Sequence, residues 1–473
     1  ANEFLGWLTL PVFFALARRL HPARPYAWVA LTLLLLQPLW LYHLHFPTSE
    51  MLQLLLLCGI GLLLPDRRAH PVFPWLLAGL LGLAMLNRFS FLPFGALLVC
   101  VLAWLDLPRA ERIRVAGERI LQIGALVLGA ICDALTQPTT LGRLERQMPE
   151  LLMTFTFLVI IALALDILAF HPPLRRGLPA FLERGAWSTG LVAFGLLAAA
   201  SFGSAEDALS GFRWSCGLVL HFGGWAAVTL ALAGALLMAL RSGGAPAGLK
   251  AWALFLLAAT AVTMLLPEIA RLLPWATRRY VEFTVPLLAL LGALPVARLW
   301  ATARLRRAGP TLALLLLAAT LGSNARGAWR AWRLTEYDGL SVALTEAARH
   351  IGPADIVVAD HFRWGTPLCF LHDKQVVNGE LFFADRHPDR MRNALRVLAR
   401  MAREGHPVRF LTSTETGLRI FPVPVEPVRL DWESTPWTMR ETIHSPRATA
   451  LEQREKSKRF RLYTWTPPDA PPP

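Results

Sequence analysis

The sequence is short of charge. Only 17% of its 473 residues are charged and 55% are hydrophobic, whereas soluble proteins carry about 25% charged residues. As far as about residue 323 the apolar residues form blocks of 15 to 27, separated by short breaks that contain Arg and Pro. This pattern excludes a purely soluble enzyme and a disordered chain. It also excludes a transmembrane β-barrel, whose strands would alternate apolar and polar residues.

Three motifs are also lacking. The five cysteines contain no CxxC pair, so no disulfide framework or zinc site is indicated. No glycine-rich phosphate fingerprint follows any β-rich run, which argues against nucleotide binding. The net charge of +14 comes without a basic stripe interleaved with aromatics, and after residue 323 there are 22 basic against 18 acidic residues. We therefore expect no nucleic-acid partner; orientation in the membrane and contact with membrane lipids account for the charge.

The apolar blocks predict a multi-pass α-helical membrane protein of about twelve helices, followed by a smaller domain. We assign 1–323 to the membrane domain and 324–473 to the second domain. The predicted helices are 3–17, 26–42, 51–65, 71–86, 89–106, 120–134, 151–170, 187–203, 214–240, 251–266, 281–297 and 309–323. Several are shorter than the roughly 20 residues that span a bilayer, and the pair 51–65 and 71–86 is the weakest.

The positive charges alternate between loops. Taking the loop at 18–25 as cytoplasmic, the loops on its side carry 18 Lys and Arg over 63 residues, and the opposite loops carry 7 over 50. This bias has the direction of the positive-inside rule. It predicts that the second domain lies outside the cytoplasm. It also places Ala1 outside, which predicts at least one further helix before it.

The second domain is expected to be a small α/β domain with a partly parallel sheet. β-rich runs occur at 355–359, 375–378, 408–412 and 460–465, and helical patterns at 340–350 and 388–404. A Pro-rich tail, 467–473, ends the chain.

The first polar cluster predicted on the outer side is Tyr42–Glu50. Glu50 is the candidate catalytic residue, projecting into an outer cavity to hold a metal, a sugar hydroxyl or a proton. Its alternative role is to stabilise the first turn of a helix through the helix dipole, with Ser49 as a cap. His43 and His45 are candidate cavity residues that have the spacing of two metal ligands, but they have no third ligand nearby and also suit an interfacial position.

The second cluster runs from Arg271 to Glu282. Arg278, Arg279 and Tyr280 enter an apolar helix on the outer side, against the charge bias. They predict a phosphate clamp, because guanidinium groups match phosphate oxygens; anchoring at the headgroup level is the alternative. Glu282 is expected to orient an arginine or to neutralise it.

Two further residues are weaker candidates for the cavity. Asp133 lies near the outer end of its helix. Arg88 sits in a short outer turn, where it would snorkel to the interface or contact an anionic lipid. Another acid, Asp166, is interpreted as a packing residue near the cytoplasmic end.

These clusters, in this order, carry a family resemblance. The stretch 2–21 resembles the second transmembrane helix of GT-C glycosyltransferases, especially the bacterial group related to protein O-mannosyltransferases and aminoarabinose transferases. In that group a Gly-containing helix ends in a Leu-Ala-Arg-Arg-like cytoplasmic turn, and the next helix runs to an outer Ser/Thr–acid pair, here Ser49-Glu50. The Arg278-Arg279-Tyr280 element resembles the arginine–tyrosine element late in the family.

The resemblance implies transfer of a hexose or pentose from a polyprenyl-phosphate donor to a lipid, glycan or protein acceptor on the outer face of the membrane. Arg278, Arg279 and Tyr280 would bind the lipid phosphate, and Glu50 matches the family's second acidic position. The family's catalytic Asp lies in its first outer loop, which would precede Ala1. No organic cofactor is implied, and a divalent metal remains open.

Two other functions fit parts of the sequence. A polysaccharide transporter would need ionisable groups along a path at mid-membrane, whereas the acids here lie near helix ends. A non-catalytic scaffold or assembly protein, using the second domain to bind partners, remains open.

Overall fold

The computed structural model describes most of the chain. The described residues are 2–44, 49–64, 70–88, 91–106, 112–136, 138–168, 219, 224–240, 246–265, 278–302, 308–333, 339–379, 388–413, 428–444 and 451–467. The chain forms two compact units, Ala1–Leu334 and Thr335–Pro473. We call them unit 1 and unit 2.

Unit 1 is helical throughout its described part. Its helices are α1 (Asn2–Leu20), α2 (Arg24–Leu35), α3 (Pro38–Leu44), α4 (Glu50–Leu63), α5 (Phe73–Asn87), α6 (Leu92–Asp106), α7 (Arg112–Thr136), α8 (Pro138–Leu168), α9 (Trp225–Leu240), α10 (Ala247–Leu265), α11 (Arg278–Ala301) and α12 (Ala308–Trp332).

Three helical stretches in the described residues are long and apolar enough to cross a membrane: Val115–Asp133, Val281–Ala301 and Ala308–Trp329. The chain is therefore a membrane protein. Six more apolar helical stretches are 10–17 residues long, or roughly 15–25 Å, against a hydrocarbon core of roughly 30 Å. Twelve crossings thus remain a prediction, and the predicted span 187–203 lies outside the described residues.

Three predicted boundaries were wrong. The span predicted at 26–42 is two helices, α2 and α3, because Pro38 lacks an N–H for helix α2 and instead begins α3. The sequence predicts an outer loop at residues 135–150, between two predicted spans, but most of these residues form the polar first turns of α8. Helix α12 continues nine residues past the predicted end at 323, because a helix need not stop where its hydrophobic pattern stops.

Helix α11 is the buried centre of unit 1, with 78% of its crossing window inside the protein. The Tyr26 hydroxyl on α2 donates to the Leu290 carbonyl of α11 at 2.9 Å. Gly234 of α9 lies against the α11 backbone, where no side chain would fit. Near the start of α11, Phe283 packs against Phe94 and Phe255. Packing on several sides fixes the position of the first turns of α11.

Unit 2 is an α/β domain. Its described elements are α13 (Leu340–Arg349), β1 (Ile356–Ala359), α14 (Phe362–His372), β2 (Gln375–Asn378), α15 (Pro388–Arg403), β3 (Val408–Thr412), β4 (Val428–Glu433), β5 (Trp437–His444), β6 (Leu451–Lys458) and β7 (Arg461–Trp465). A five-stranded sheet has the order β2-β1-β3-β7-β4, and β5 and β6 form a separate antiparallel pair.

The predicted strands β1, β2, β3 and β7 and the predicted helices α13 and α15 are confirmed. The expected partly parallel sheet is confirmed too, since β1 pairs in parallel with β2 and β3 while β7 is antiparallel to its neighbours. Alternate residues of β1 point to opposite faces of the sheet. Val357 packs with α13 and α14 on one face, and Val358 packs with α15 on the other.

Candidate functional site

The directions of the helices bring several predicted residues to one end of unit 1. The Arg19 side chain at the end of α1 donates to the Leu62 carbonyl at the end of α4, at 2.9 Å, so α1 and α4 run parallel. Near the start of α1, Gly6 contacts Leu44, the last residue of α3. Glu50, the first residue of α4, therefore lies at the end of the bundle where α1 begins. We call this the Glu50 end.

Arg88 brings two acids together at this end. Its Nη1 lies 3.1 Å from Glu50 Oε1 and donates a hydrogen bond to Glu282 Oε1. The Glu50 and Glu282 side chains are 1% and 5% exposed, and Arg88 is 17% exposed. One guanidinium thus joins the start of α4, the end of α5 and the first turns of α11. We call these three residues the Arg88 cluster.

The neighbouring residue, Asn87, reinforces the same junction. Its amide nitrogen donates to the Ser49 carbonyl at 3.0 Å and to Gln53 Oε1 at 2.9 Å. Gln53 is fully buried, one turn after Glu50 on α4. Asn87, the last residue of α5, therefore fixes the backbone at the start of α4, and Arg88, the C-cap of α5, holds Glu50.

The second predicted cluster lies at the same end. Helix α11 begins with Arg278, Arg279 and Tyr280. Arg278 precedes Glu282 by four residues, a rise of about 6 Å along the axis. Positions four and three residues apart share a helix face, so Arg278 and Arg279 fall on the side of α11 that carries Glu282.

Other predicted residues also belong to the Glu50 end. Gly82 faces Ala125, and Gly129 faces Met85, so α5 and α7 run parallel. Asp133, one turn beyond Gly129, is buried there.

His43 is fully buried beside Leu44 and lies at the same end. His45 and Arg271 lie outside the described residues.

Neither predicted alternative for Arg88 anticipated the two acids that lie against its guanidinium. Glu282 contacts an arginine, as expected, and that arginine comes from a different helix. Asn87 and Gln53 were missed, although an Asn-Arg pair after an apolar helix, and a glutamine one turn after Glu50, are detectable signals.

Arg88 donates a charge-assisted hydrogen bond to Glu282, stronger than a neutral one, and forms an ion pair with Glu50. Within an apolar bundle such bonds fix geometry because the alternative is an uncompensated buried charge. The cluster can therefore hold the Glu50 carboxylate in one orientation. Among the described residues, no group of three or more His, Cys, Asp or Glu suits a metal. The Glu50–Glu282 pair takes a guanidinium as its cation, so this arrangement does not fit a metal site.

A second charged site of unit 1 joins α7 to α8. Arg119 is 1% exposed, its Nε lies 3.2 Å from Asp166 Oδ2, and its Nη1 donates to Gln122 Oε1 at 2.8 Å. It lies near the start of α7, whereas Asp133 lies near the end. This Arg119 pair is therefore remote from the Glu50 end, and the packing role of Asp166 stays a prediction.

In unit 2 the buried carboxylate Asp360 follows β1. It accepts hydrogen bonds from Trp364 Nε1 at 2.5 Å and from the Ser413 backbone N–H at 2.8 Å. Burial raises the pKa of Asp360, and these hydrogen bonds and the charge of Lys458 oppose the rise. The contacts tie the ends of β1 and β3 together, which is a structural role.

The comparisons with known proteins give low similarities. No family model and no curated protein sequence match the chain. Among solved structures, it is similar to the Archaeoglobus fulgidus oligosaccharyltransferase complex with Zn and sulfate, at 12% identity and a TM-score of 0.48, over 87% of this chain and 55% of that one. It is also similar to ArnT from Cupriavidus metallidurans bound to undecaprenyl phosphate, at 16% identity and a TM-score of 0.34, over 97% and 82%. The chain thus spans about half the length of the oligosaccharyltransferase.

Proposed function

We propose that this chain is a membrane glycosyltransferase of the GT-C superfamily. It transfers a hexose or pentose from a polyprenyl-phosphate donor to a lipid, glycan or protein acceptor at the outer face of the bacterial cytoplasmic membrane. Unit 2 lies on that periplasmic side. The sequence resemblance of 2–21, Glu50 and the Arg278-Arg279-Tyr280 element supports this function.

One structural observation carries the proposal. Glu50 and Glu282 meet on Arg88, and Arg278 and Arg279 begin the helix that carries Glu282. The candidate acid and the candidate phosphate-binding residues thus belong to one end of one bundle. Opposite ends would have been incompatible with a shared site.

In the proposed reaction an acceptor hydroxyl attacks the anomeric carbon of the donor sugar. The bond from that carbon to the phosphate oxygen breaks, and the oxygen keeps the electron pair. Arg278 and Arg279 stabilise the negative charge that grows on the phosphate, and Tyr280 adds a hydroxyl donor. The Glu50 carboxylate, fixed by Arg88, orients the acceptor hydroxyl. By the family resemblance, a catalytic Asp takes the hydroxyl proton.

The test is donor-dependent sugar transfer in membranes that contain the full-length protein. Radiolabelled polyprenyl-phosphate hexoses and pentoses serve as donors, and label in membrane lipid, glycan and protein is counted separately. The double variant Arg278→Ala/Arg279→Ala should lower transfer roughly 100-fold or more, as expected for lost transition-state charge stabilisation. Arg24→Ala, at the exposed start of α2, is the matched control and should leave transfer unchanged.

The outcomes separate the alternatives. Undiminished transfer in both the double variant and Glu50→Gln would overturn the residue assignments. Flux of a polysaccharide without covalent transfer would identify a transporter. Neither flux nor transfer, together with co-purifying partners, would identify a scaffold.

A further inference from the structure

Unit 2 has two helical layers whose outer surfaces differ. Helices α13 and α14 cover one face of the sheet and α15 covers the other. The exposed surface of α15 is strongly basic. It carries Arg396, Arg400 and Arg403 in one stripe, with Val397 beside them. Such a surface is well solvated.

The outer surface of α13 and α14 is apolar and nearly neutral. Phe370 is 81% exposed and Leu371 is 75% exposed at the end of α14, and Val342 on α13 is 70% exposed. We call this surface the α13–α14 face; its exposed side chains are Ser341, Val342, Thr345, Arg349, Cys369, Phe370 and Leu371. Two adjacent large side chains left in water on a helix end are costly, and such patches mark interaction surfaces.

The preceding helix indicates what covers this face. Trp329 and Trp332 near the end of α12 are exposed, and the Arg333 guanidinium lies 4.4 Å from the centre of the Trp329 ring. Exposed tryptophans beside a cation at the end of a crossing helix are typical of the membrane–water interface. Helix α13 starts eight residues after Trp332, so it begins within roughly 28 Å of that interface. A domain of this size has a radius of gyration of roughly 14 Å, so its surface can reach lipid.

We propose that unit 2 rests on the lipid surface through the α13–α14 face, with Phe370 and Leu371 inserted at the boundary between headgroups and acyl chains. Phe and Leu are the residues that bury into this boundary in interfacial helices. The tether holds the domain at a high local lipid concentration, so two large apolar side chains are sufficient for a stable contact. The basic stripe of α15, on the opposite sheet face, then stays in water.

Cys369 offers a direct probe because it lies within the α13–α14 face and is exposed. Cys58 and Cys100 are buried and can remain, while Cys132 and Cys216 are replaced by Ser. The full chain is labelled at Cys369 with an environment-sensitive maleimide and reconstituted into vesicles of phosphatidylethanolamine and phosphatidylglycerol, with or without bromine on the acyl chains. We expect a blue-shifted emission and its loss in the brominated vesicles.

The matched control carries the label on the opposite face. Val397→Cys, in a Cys369→Ser background, changes an exposed apolar side chain of α15. Its label should show neither the blue shift nor quenching by brominated lipid. In the Cys369-labelled protein, Phe370→Ser/Leu371→Ser should abolish the quenching; both side chains are exposed, so folding should be unaffected.

Four results would overturn the proposal. The first is that brominated lipid does not quench the Cys369 label, and the second is that it quenches the label equally in the Phe370→Ser/Leu371→Ser variant. The third is that the label at Val397→Cys is quenched instead and that this quenching requires phosphatidylglycerol, which would assign lipid contact to the arginine stripe. The fourth is that the Cys369 labels quench one another as the protein-to-lipid ratio rises, without quenching by bromine, which would assign the face to a second copy of the chain.

Discussion

The Arg88 cluster and the Arg119 pair place the same chemistry, a guanidinium beside carboxylates, in two different settings. At the first site Arg119 is buried, Asp166 is 17% exposed, and the pair joins two helices. At the second site Arg88 is 17% exposed, its two acids are nearly buried, and the cluster joins three helices. The Arg119–Asp166 pair is balanced in charge, which suits packing, whereas the excess of carboxylate in the Arg88 cluster suits a site that meets substrate. Variants at both sites test whether this difference is one of function.

A large effect on stability is expected for Arg119→Ala. This change leaves the Asp166 carboxylate without its guanidinium between α7 and α8 and should lower the free energy of unfolding by about 3–5 kcal/mol. Thermal unfolding of the detergent-solubilised protein, followed by tryptophan fluorescence, measures the loss.

The double variant Arg119→Met/Asp166→Leu is its control. Replacing both charges with apolar side chains should recover most of the stability, and sugar transfer should be normal. A double variant that is stable but inactive would contradict a packing role.

Arg88→Ala should cost as much stability and more activity. We expect a loss of about 3–5 kcal/mol, because the Glu50 and Glu282 side chains that lose their guanidinium are only 1% and 5% exposed. Transfer should fall roughly 100-fold, since small displacements of positioning groups have effects of this size.

The control for Arg88 repeats the design used for Arg119. Because Arg88 neutralises two buried acids, all three charges have to be replaced: Arg88→Met/Glu50→Leu/Glu282→Leu should restore most of the stability without restoring transfer. If the apolar replacement rescued both properties, the Arg88 cluster would be a packing site like the Arg119 pair, and the contrast would disappear.

The residues of the Arg88 cluster were detectable in the sequence, but their pairing was not. Glu50, Arg88 and Glu282 each stand out as ionisable residues near the ends of apolar runs. Arg88 and Glu282 are 194 positions apart, and no local spacing links them. Their contact depends on the tertiary arrangement of α4, α5 and α11, which hydropathy does not describe.

In unit 2, too, only some of the strands and helices could be predicted from the sequence. Strand β1 was predictable because its four residues are buried and apolar. Strand β6 was missed because Leu451–Lys458 alternates no apolar side chains and pairs only with β5. Helix α14 was missed because Gly365 and Pro367 disfavour a helix, and packing of Trp364 and Leu368 on the sheet overrides that preference.

The two acids of the Arg88 cluster should differ in their contribution to transfer. Glu50→Gln should lower transfer roughly tenfold, or about 1.4 kcal/mol, because Glu50 orients the acceptor hydroxyl. Glu282→Gln should lower it less, since Glu282 acts through Arg88. Initial rates over a range of acceptor concentrations measure both. A larger effect of Glu282→Gln would transfer the orienting role to α11.

The smallest effect is expected for Asn87→Ala. It removes two neutral hydrogen bonds to α4 and should cost about 1 kcal/mol of stability. Asn393→Ala on the exposed surface of α15, where the amide accepts a hydrogen bond from Arg396, should change stability by less than about 0.5 kcal/mol. If Asn87→Ala lowered transfer more than Glu282→Gln, the position of the α4 start would matter more than the charge balance around Arg88. The difference between the two arginine sites would then lie in helix placement, since Asn87 carries no charge and reaches Glu50 only through the backbone and Gln53.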